Sequence, residues 1–161
     1  MAPGKQEKRN SAIFVFRKNK FHTLPKQPHY IIFESTGNPA EGYISSTQSA
    51  HKLPFAVKRV FWTYSTPKEV VRGRHAHIAT EQVLVSVNGC IKVKVDDGKG
   101  STESYTLSDP NQGLYLPPMH WANIHFSEGA ILLSLTSTDF DEADYIRDYD
   151  SFVEKAQHVK V

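Results

Sequence analysis

Arg72-Gly-Arg-His-Ala-His77 and, three residues on, Glu81-Gln-Val-Leu-Val-Ser-Val-Asn-Gly89 decide the fold of this chain. His75 and His77 stand two apart at the head of an alternating apolar run. A β-strand has a side-chain period of two, so both imidazoles are expected on one side of it. Val83, Val85 and Val87 continue the same parity, which predicts that this side is the interior of a barrel or sandwich. Two titratable rings facing an enclosed apolar space make either a metal site or an acid/base site.

The flanking chain repeats the pattern. Short apolar segments suited to strands occur at Ile13–Phe16, Tyr30–Phe33, around Tyr43 and Ile44, Val57–Tyr64, Ile91–Val95, Ser104–Leu107, Gly113–Leu116 and Ala130–Leu135. Between them lie Gly- and Pro-rich turns. Asn88-Gly89 is a strong hairpin signal and Asp96-Asp-Gly-Lys-Gly100 a second turn. Only Glu142 to Ala156 has helical character. Many short strands with almost no helix predict an all-β, double-stranded β-helix of jelly-roll type, with a short C-terminal helical or irregular segment. An immunoglobulin-like sandwich is the alternative. A doubly wound α/β fold does not fit, because no glycine-rich phosphate loop follows a strand.

The chain has 161 residues, enough for one well-packed domain. Residues 1–10 are polar and expected to form a flexible arm; 11–161 are expected to form a single barrel. The 19 basic and 17 acidic residues leave a net charge of +2 and no basic tract, which argues against nucleic acid as a partner. No apolar run approaches the ~18 residues of a membrane span, and no hydrophobic signal region follows the polar N-terminus, so a cytoplasmic location is expected. The lone Cys90 has no partner for an internal disulfide and reads as a bystander thiol.

Metal binding by the histidine pair needs further ligands. Glu81 shares the parity of His77, and His120 or His125 can come from a later strand; His, His, Glu and a distant His is the ligand order of the cupin barrels. Against this stand Arg72 and Arg74, since cations crowd a divalent metal unfavourably unless an anion intervenes. The same arginines suit a phosphate-bearing substrate, because guanidinium pairs with phosphate in a bidentate manner. Lys58-Arg59 adds positive charge. Phe61, Trp62, Tyr64, Tyr115 and Trp121 are candidates for core or cavity wall. The acidic, tyrosine-rich run Asp139 to Asp150 reads as a C-terminal cap over one barrel edge.

Arg72-Gly-x-His-Ala-His77, Glu81-Gln-Val-Leu-Val-x-x-Asn-Gly89, Asp96-Asp-Gly98, Gly113-Leu-Tyr-x-Pro117, Trp121, Phe126-Ser127 and Asp141-Glu-x-Asp-Tyr-Ile-Arg-Asp-Tyr149 together resemble the sugar 3,4-ketoisomerases. The resemblance is strongest over residues 54–152. It implies a cupin-like barrel that acts without a metal or other cofactor on dTDP-4-keto-6-deoxyglucose, in deoxysugar biosynthesis. It also implies a homodimer with exchanged N-terminal strands. On this resemblance His75 and His77 match the active-site pair, Arg72 matches an arginine near the diphosphate, and Trp121 falls on a characteristic tryptophan. Arg74, Tyr115 and Arg59 are further candidate substrate contacts. Arg74 and Thr80 depart from the pattern, which favours a smaller or uncharged residue at the first position and an aliphatic one at the second.

The chemistry so implied moves a ketone from C4 to C3 through an enediolate. His75 is expected to act as the principal base at C3, with His77 assisting, and Tyr64 or Tyr115 bonding the enediolate oxygen. A metal-dependent cupin using His75, His77 and Glu81, a non-catalytic nucleotide-sugar-binding barrel and a related epimerase are the alternatives.

Overall fold

The structure, a computed structural model, describes residues 27–47 and 52–158. The expected N-terminal arm, the Ile13–Phe16 strand and any exchanged N-terminal strand lie outside the described residues. The elements run β1 His29–Ile32, β2 Glu34–Asn38, β3 Gly42–Ser46, β4 Arg59–Thr63, β5 Arg72–His77, β6 Gln82–Asn88, β7 Ile91–Asp96, β8 Thr102–Leu107, β9 Gln112–Leu116, β10 Trp121–Phe126 and β11 Ile131–Thr136. A 3₁₀ turn (Glu142–Asp144), β12 (Tyr145–Ile146) and α1 (Tyr149–His158) follow. Two five-stranded antiparallel sheets, β1-β9-β6-β11-β4 and β12-β5-β10-β7-β8, face each other as a jelly roll, and β2-β3 forms a separate hairpin.

Period-two alternation decides which side chains fill the barrel. From β7, Ile91, Val93 and Val95 point inward to meet Ala122, Ile124 and Phe126 of β10, and the opposite sheet supplies Leu84, Leu114, Leu116 and Leu132. A second apolar cluster lies on the outer face of the first sheet, where Ile31, Phe33 and Leu53 cover Val83, Val85, Tyr115 and Leu135. Val83 and Val85 are therefore on the side opposite to the one expected, and Val87 is exposed. The cause is the crossover. β5 and β6 belong to different sheets, and Ile78 to Glu81 between them carries no strand pairing that would transmit parity.

Asn88-Gly89 makes a turn but no hairpin, since β6 and β7 also lie in different sheets. Its polar groups are tied to the loop after β10: Asn88 Nδ2 donates to Gly129 O at 2.7 Å, and the Cys90 amide donates to Ser127 Oγ at 2.9 Å. Gly89 (φ +75°) has no room for a Cβ, which would fall 2.8 Å from Ala130. The true hairpin joins β7 and β8 through Asp96 to Gly100.

The C-terminal segment is only partly helical. Tyr145 and Ile146 pair with His77 and Ala76 of β5, and only then does α1 form. Its Phe152 and Ala156 pack with Trp121, Ala76 and Ile146 against the outside of the second sheet.

Candidate active site

One end of the barrel opens into a cavity of about 360 Å³, within the usual range of small-molecule sites. Its apolar wall includes Phe61, Leu84, Leu116, Ile124, Phe126 and Leu132. Its polar groups are His75, His77, His120, Gln82, Ser134, Thr63, Thr80, Tyr145, Arg72 and Arg147.

The two histidines project from β5 as expected, with ring centroids 5.0 Å apart and planes nearly perpendicular. His75 Nδ1 lies 2.9 Å from the carbonyl of Gly73. A carbonyl only accepts, so Nδ1 carries the proton and Nε2 presents a lone pair. Burial lowers the His75 pKa to about 4, so the ring is neutral at pH 7. His77 Nδ1 lies 2.8 Å from Asp144 Oδ2, and the ring is only 5% exposed. Burial pulls its pKa below the usual value, and the Asp144 carboxylate opposes that pull. The His77 Nε2 is buried without a hydrogen-bond partner.

Asp144 is held in place from several directions. Its Oδ1 accepts the Ala79 amide at 2.6 Å, its Oδ2 also accepts the Thr80 hydroxyl at 2.5 Å, and its carbonyl accepts the Ile78 amide. Burial pushes this carboxyl up, but the bonds from Thr80, Ala79 and His77 outweigh it and hold the group ionised. Tyr145 lies against both imidazoles, its ring centroid 4.3 Å from His77 and 4.9 Å from His75.

A β-bulge sorts the two arginines of β5. His75 faces Ala122 and Gly73 faces Asn123, so Arg74 is the extra residue between them. Gly73 (φ +76°) and Arg74 (φ +57°) both adopt left-handed backbone. The bulge reverses parity, so Arg72 shares the cavity face with His75 although three positions separate them. Arg74 points instead to the outer face, beside Lys94, Asp96 and Trp121. A Cβ on Gly73 would lie 2.4 Å from the Ala122 carbonyl oxygen, so this site requires glycine.

Several expected site residues lie elsewhere. Trp121 is on the outward parity of β10, packed on Phe152 and Tyr149. Tyr115 is buried on the outer face of the first sheet, where its hydroxyl donates to Glu81 Oε2 at 3.2 Å. That pairing also separates Glu81 from the histidines, so the alternative triad of His75, His77 and Glu81 does not assemble. Among the described residues, no three His, Cys, Asp or Glu side chains converge on one point. Tyr64 follows β4 on its outward parity and is 63% exposed. Arg59 stands behind the cavity wall, its guanidinium over Phe61 and Phe140 and 3.4 Å from the Tyr145 hydroxyl.

Asp144, Tyr145 and Arg147 were not singled out as site residues from the sequence. Their signal was present in Asp144-Tyr-Ile-Arg147, whose alternation sends Tyr145 and Arg147 to one side and Ile146 to the other. The guanidinium of Arg147 lies over the Tyr145 ring and makes a two-point ion pair with Glu142. His120 resembles the pair in one respect: its Nδ1 meets the Pro118 carbonyl at 2.9 Å, and its buried Nε2 has no partner.

The chain matches the family model described as FdtA: WxcM-like, C-terminal, over residues 18–157. It is 40% identical over 114 residues to a TDP-4-oxo-6-deoxy-alpha-D-glucose-3,4-oxoisomerase of Aneurinibacillus thermoaerophilus, spanning 70% of this chain and 81% of that protein. The 3,4-ketoisomerase QdtA of Thermoanaerobacterium thermosaccharolyticum was solved as a histidine-to-asparagine variant with TDP-4-keto-6-deoxyglucose. It superposes with a TM-score of 0.77 at 30% identity, over 81% of this chain and 94% of that one. A 3,4-ketoisomerase from Helicobacter canadensis gives a TM-score of 0.77 at 31% identity, over 83% and 99% of the two chains.

Proposed function

The chain belongs to the FdtA family of sugar 3,4-ketoisomerases, and from that premise we propose that it converts dTDP-4-keto-6-deoxyglucose to the 3-keto isomer with the side chains of this cavity alone. It is an isomerase of keto sugars carried by nucleotides. One observation carries the assignment of the chemistry: two imidazoles, each with its ring proton held on Nδ1 and its Nε2 therefore a free acceptor, line one cavity with Arg72 on the same face.

The ketone at C4 acidifies the hydrogen on C3, because the electrons left behind delocalise onto the C4 oxygen. His75 removes that proton through Nε2, and C3 and C4 become joined by the double bond of an enediolate. The proton on the C3 hydroxyl is given up, a proton is added at C4, and the C4 oxygen ends as a hydroxyl. One hydrogen has moved from carbon to carbon and one from oxygen to oxygen, with no external oxidant. His77 takes and returns the oxygen-bound proton, assisted by Asp144. A base with a pKa near 4 is weak for this work by itself, but the negative charge developing on the enediolate stabilises the imidazolium as it forms. The aromatic ring of Tyr145 walls the pair.

Arg72 suits the diphosphate, as a guanidinium on the cavity face that makes no ion pair among the described residues. Arg147 suits the same group, although Glu142 already neutralises part of its charge. A homodimer fits the outer face of the first sheet, where Val60 and Trp62 of β4 lie exposed beside the apolar cluster of Leu133 and Leu135. A cytoplasmic location belongs to this reading; among the described residues no helix is long and apolar enough to cross a membrane.

The test is incubation of the wild type and of His75→Asn with dTDP-4-keto-6-deoxyglucose in deuterated water, followed by NMR. The wild type is expected to form the 3-keto sugar, and the variant to leave both ketone and C3 hydrogen in place. Ligand binding without isomerisation by the wild type would identify a binding barrel instead, and C3 exchange at an undiminished rate in the variant would remove His75 from the base role.

A further inference from the structure

The histidine pair is asymmetric behind the rings. His75 is held by a backbone carbonyl, whereas His77 is held by a carboxylate that is itself fixed by a backbone amide. We infer that Asp144 is a positioning residue: anchored by the Ala79 amide, it keeps the proton of His77 on Nδ1, so that the unpartnered Nε2, buried at the cavity wall, keeps its lone pair to receive the substrate's hydroxyl proton. This rests on the proposed isomerisation and extends it to a residue outside direct substrate contact.

Donors and acceptors fix the arrangement. The Ala79 amide can only donate, so the atom 2.6 Å from it, Oδ1, must accept. The second oxygen, Oδ2, faces His77 Nδ1 at 2.8 Å and Thr80 Oγ1 at 2.5 Å. As a carboxylate, it accepts from both. Thr80 is only 2% exposed, and its hydroxyl oxygen lies 2.5 Å from that of Thr138, which completes a closed set of partners. The position is set by chain topology: Asp144 ends the 3₁₀ turn directly before β12, and β12 pairs with β5 so that Tyr145 stands opposite His77.

The same geometry says what Asp144→Asn does. The Ala79 amide requires the side-chain oxygen of the asparagine, so the NH₂ group must face His77 and Thr80. Its two hydrogens reach His77 Nδ1 and Thr80 Oγ1, and the Thr80 hydroxyl turns to Thr138. Every hydrogen bond survives, but His77 Nδ1 must now accept. The ring proton moves to Nε2, and an N–H replaces the lone pair in the cavity. The variant keeps shape and bond count while reversing the tautomer.

Long-range ¹⁵N–¹H NMR of the full chain, with His77 assigned through His77→Gln, distinguishes the two forms without substrate. Wild type is expected to show Nδ1–H and Asp144→Asn to show Nε2–H. With dTDP-4-keto-6-deoxyglucose, kcat of the variant is expected to fall by about 100-fold or more, with KM within about threefold of wild type. A wild-type His77 protonated on Nε2 overturns the inference, whether or not the variant folds. So does a variant that reverses tautomer yet keeps its kcat. Absence of isomerisation by the wild type would strike the proposed reaction, whereas the tautomer in the substrate-free protein judges the placement of Asp144 separately.

Discussion

Arg72 and His75 face one cavity from positions three apart on one strand, a relation that a regular strand forbids and that the bulge at Arg74 creates. The adjacent, chemically identical arginine is turned to the opposite side of the sheet. Access to the cavity is therefore decided by backbone geometry, and the two arginines have separable consequences.

Arg72→Ala is expected to weaken binding of TDP by about 10-fold to 100-fold, the worth of one or two charge-assisted hydrogen bonds. Arg74→Ala is expected to stay within about twofold of wild type. Calorimetric titration of TDP into each variant decides the matter; equal losses would mean that Arg74 also reaches the ligand.

Gly73→Ala tests the bulge itself. The added methyl group meets the Ala122 carbonyl oxygen at 2.4 Å, and φ of +76° is unfavourable for any L side chain. A loss of about 2 kcal/mol or more in urea denaturation is expected. Loss of TDP affinity beyond the loss in stability is also expected, because Arg72 is displaced with the backbone. A variant of unchanged midpoint and affinity would show that the bulge is dispensable.

Acid should destabilise this protein through its histidines. Above about pH 6.5, His75 is neutral whether the chain is folded or unfolded, and it contributes no penalty. Below that, the unfolded chain binds the proton first, because burial holds the folded-state pKa down to about 4. Stability therefore falls as pH drops from about 6.5 to about 4 and levels off below, by about 3 kcal/mol for His75 alone. His77 acts in the same direction. Urea midpoints across this window are expected to fall less steeply for His75→Phe than for wild type, and parallel slopes would contradict the assignment.

Trp62→Asp places a charge on the exposed apolar face of the first sheet, away from the cavity. Sedimentation equilibrium is expected to show a dimer for wild type and a monomer for the variant. A dimer that survives the substitution would move the subunit contact off this face.

How much of this was legible beforehand depended on the range over which each rule acts. Alternation is local, so the strands holding Tyr30, Phe61, Ile91 and Leu114 were readable, as was the shared side of His75 and His77. Parity does not survive a crossover between sheets, which is why Val83 and Val85 lie on the face opposite to the one that alternation predicts. For the same reason Glu81, on the parity of His77, lies away from the histidines and instead accepts from Tyr115, a candidate substrate contact, on the far side of the first sheet. Trp121 carries the motif, yet its neighbour Ala122 holds the inward position. The bulge at Arg74 left a trace in Gly73, but one glycine does not announce a change of register. Asp144 lies 67 positions from His77, and only the docking of β12 on β5 brings the two together.

That docking also orders events during synthesis. Strands β1 to β11 leave the ribosome before Asp144, Tyr145 and Arg147 do, so a nascent chain can close most of its barrel around two histidines that have neither their carboxylate nor their aromatic neighbour. On the proposed mechanism, the histidine pair is completed only by the final turn and short strand, and a chain interrupted before them would be a shell with its chemistry left unset.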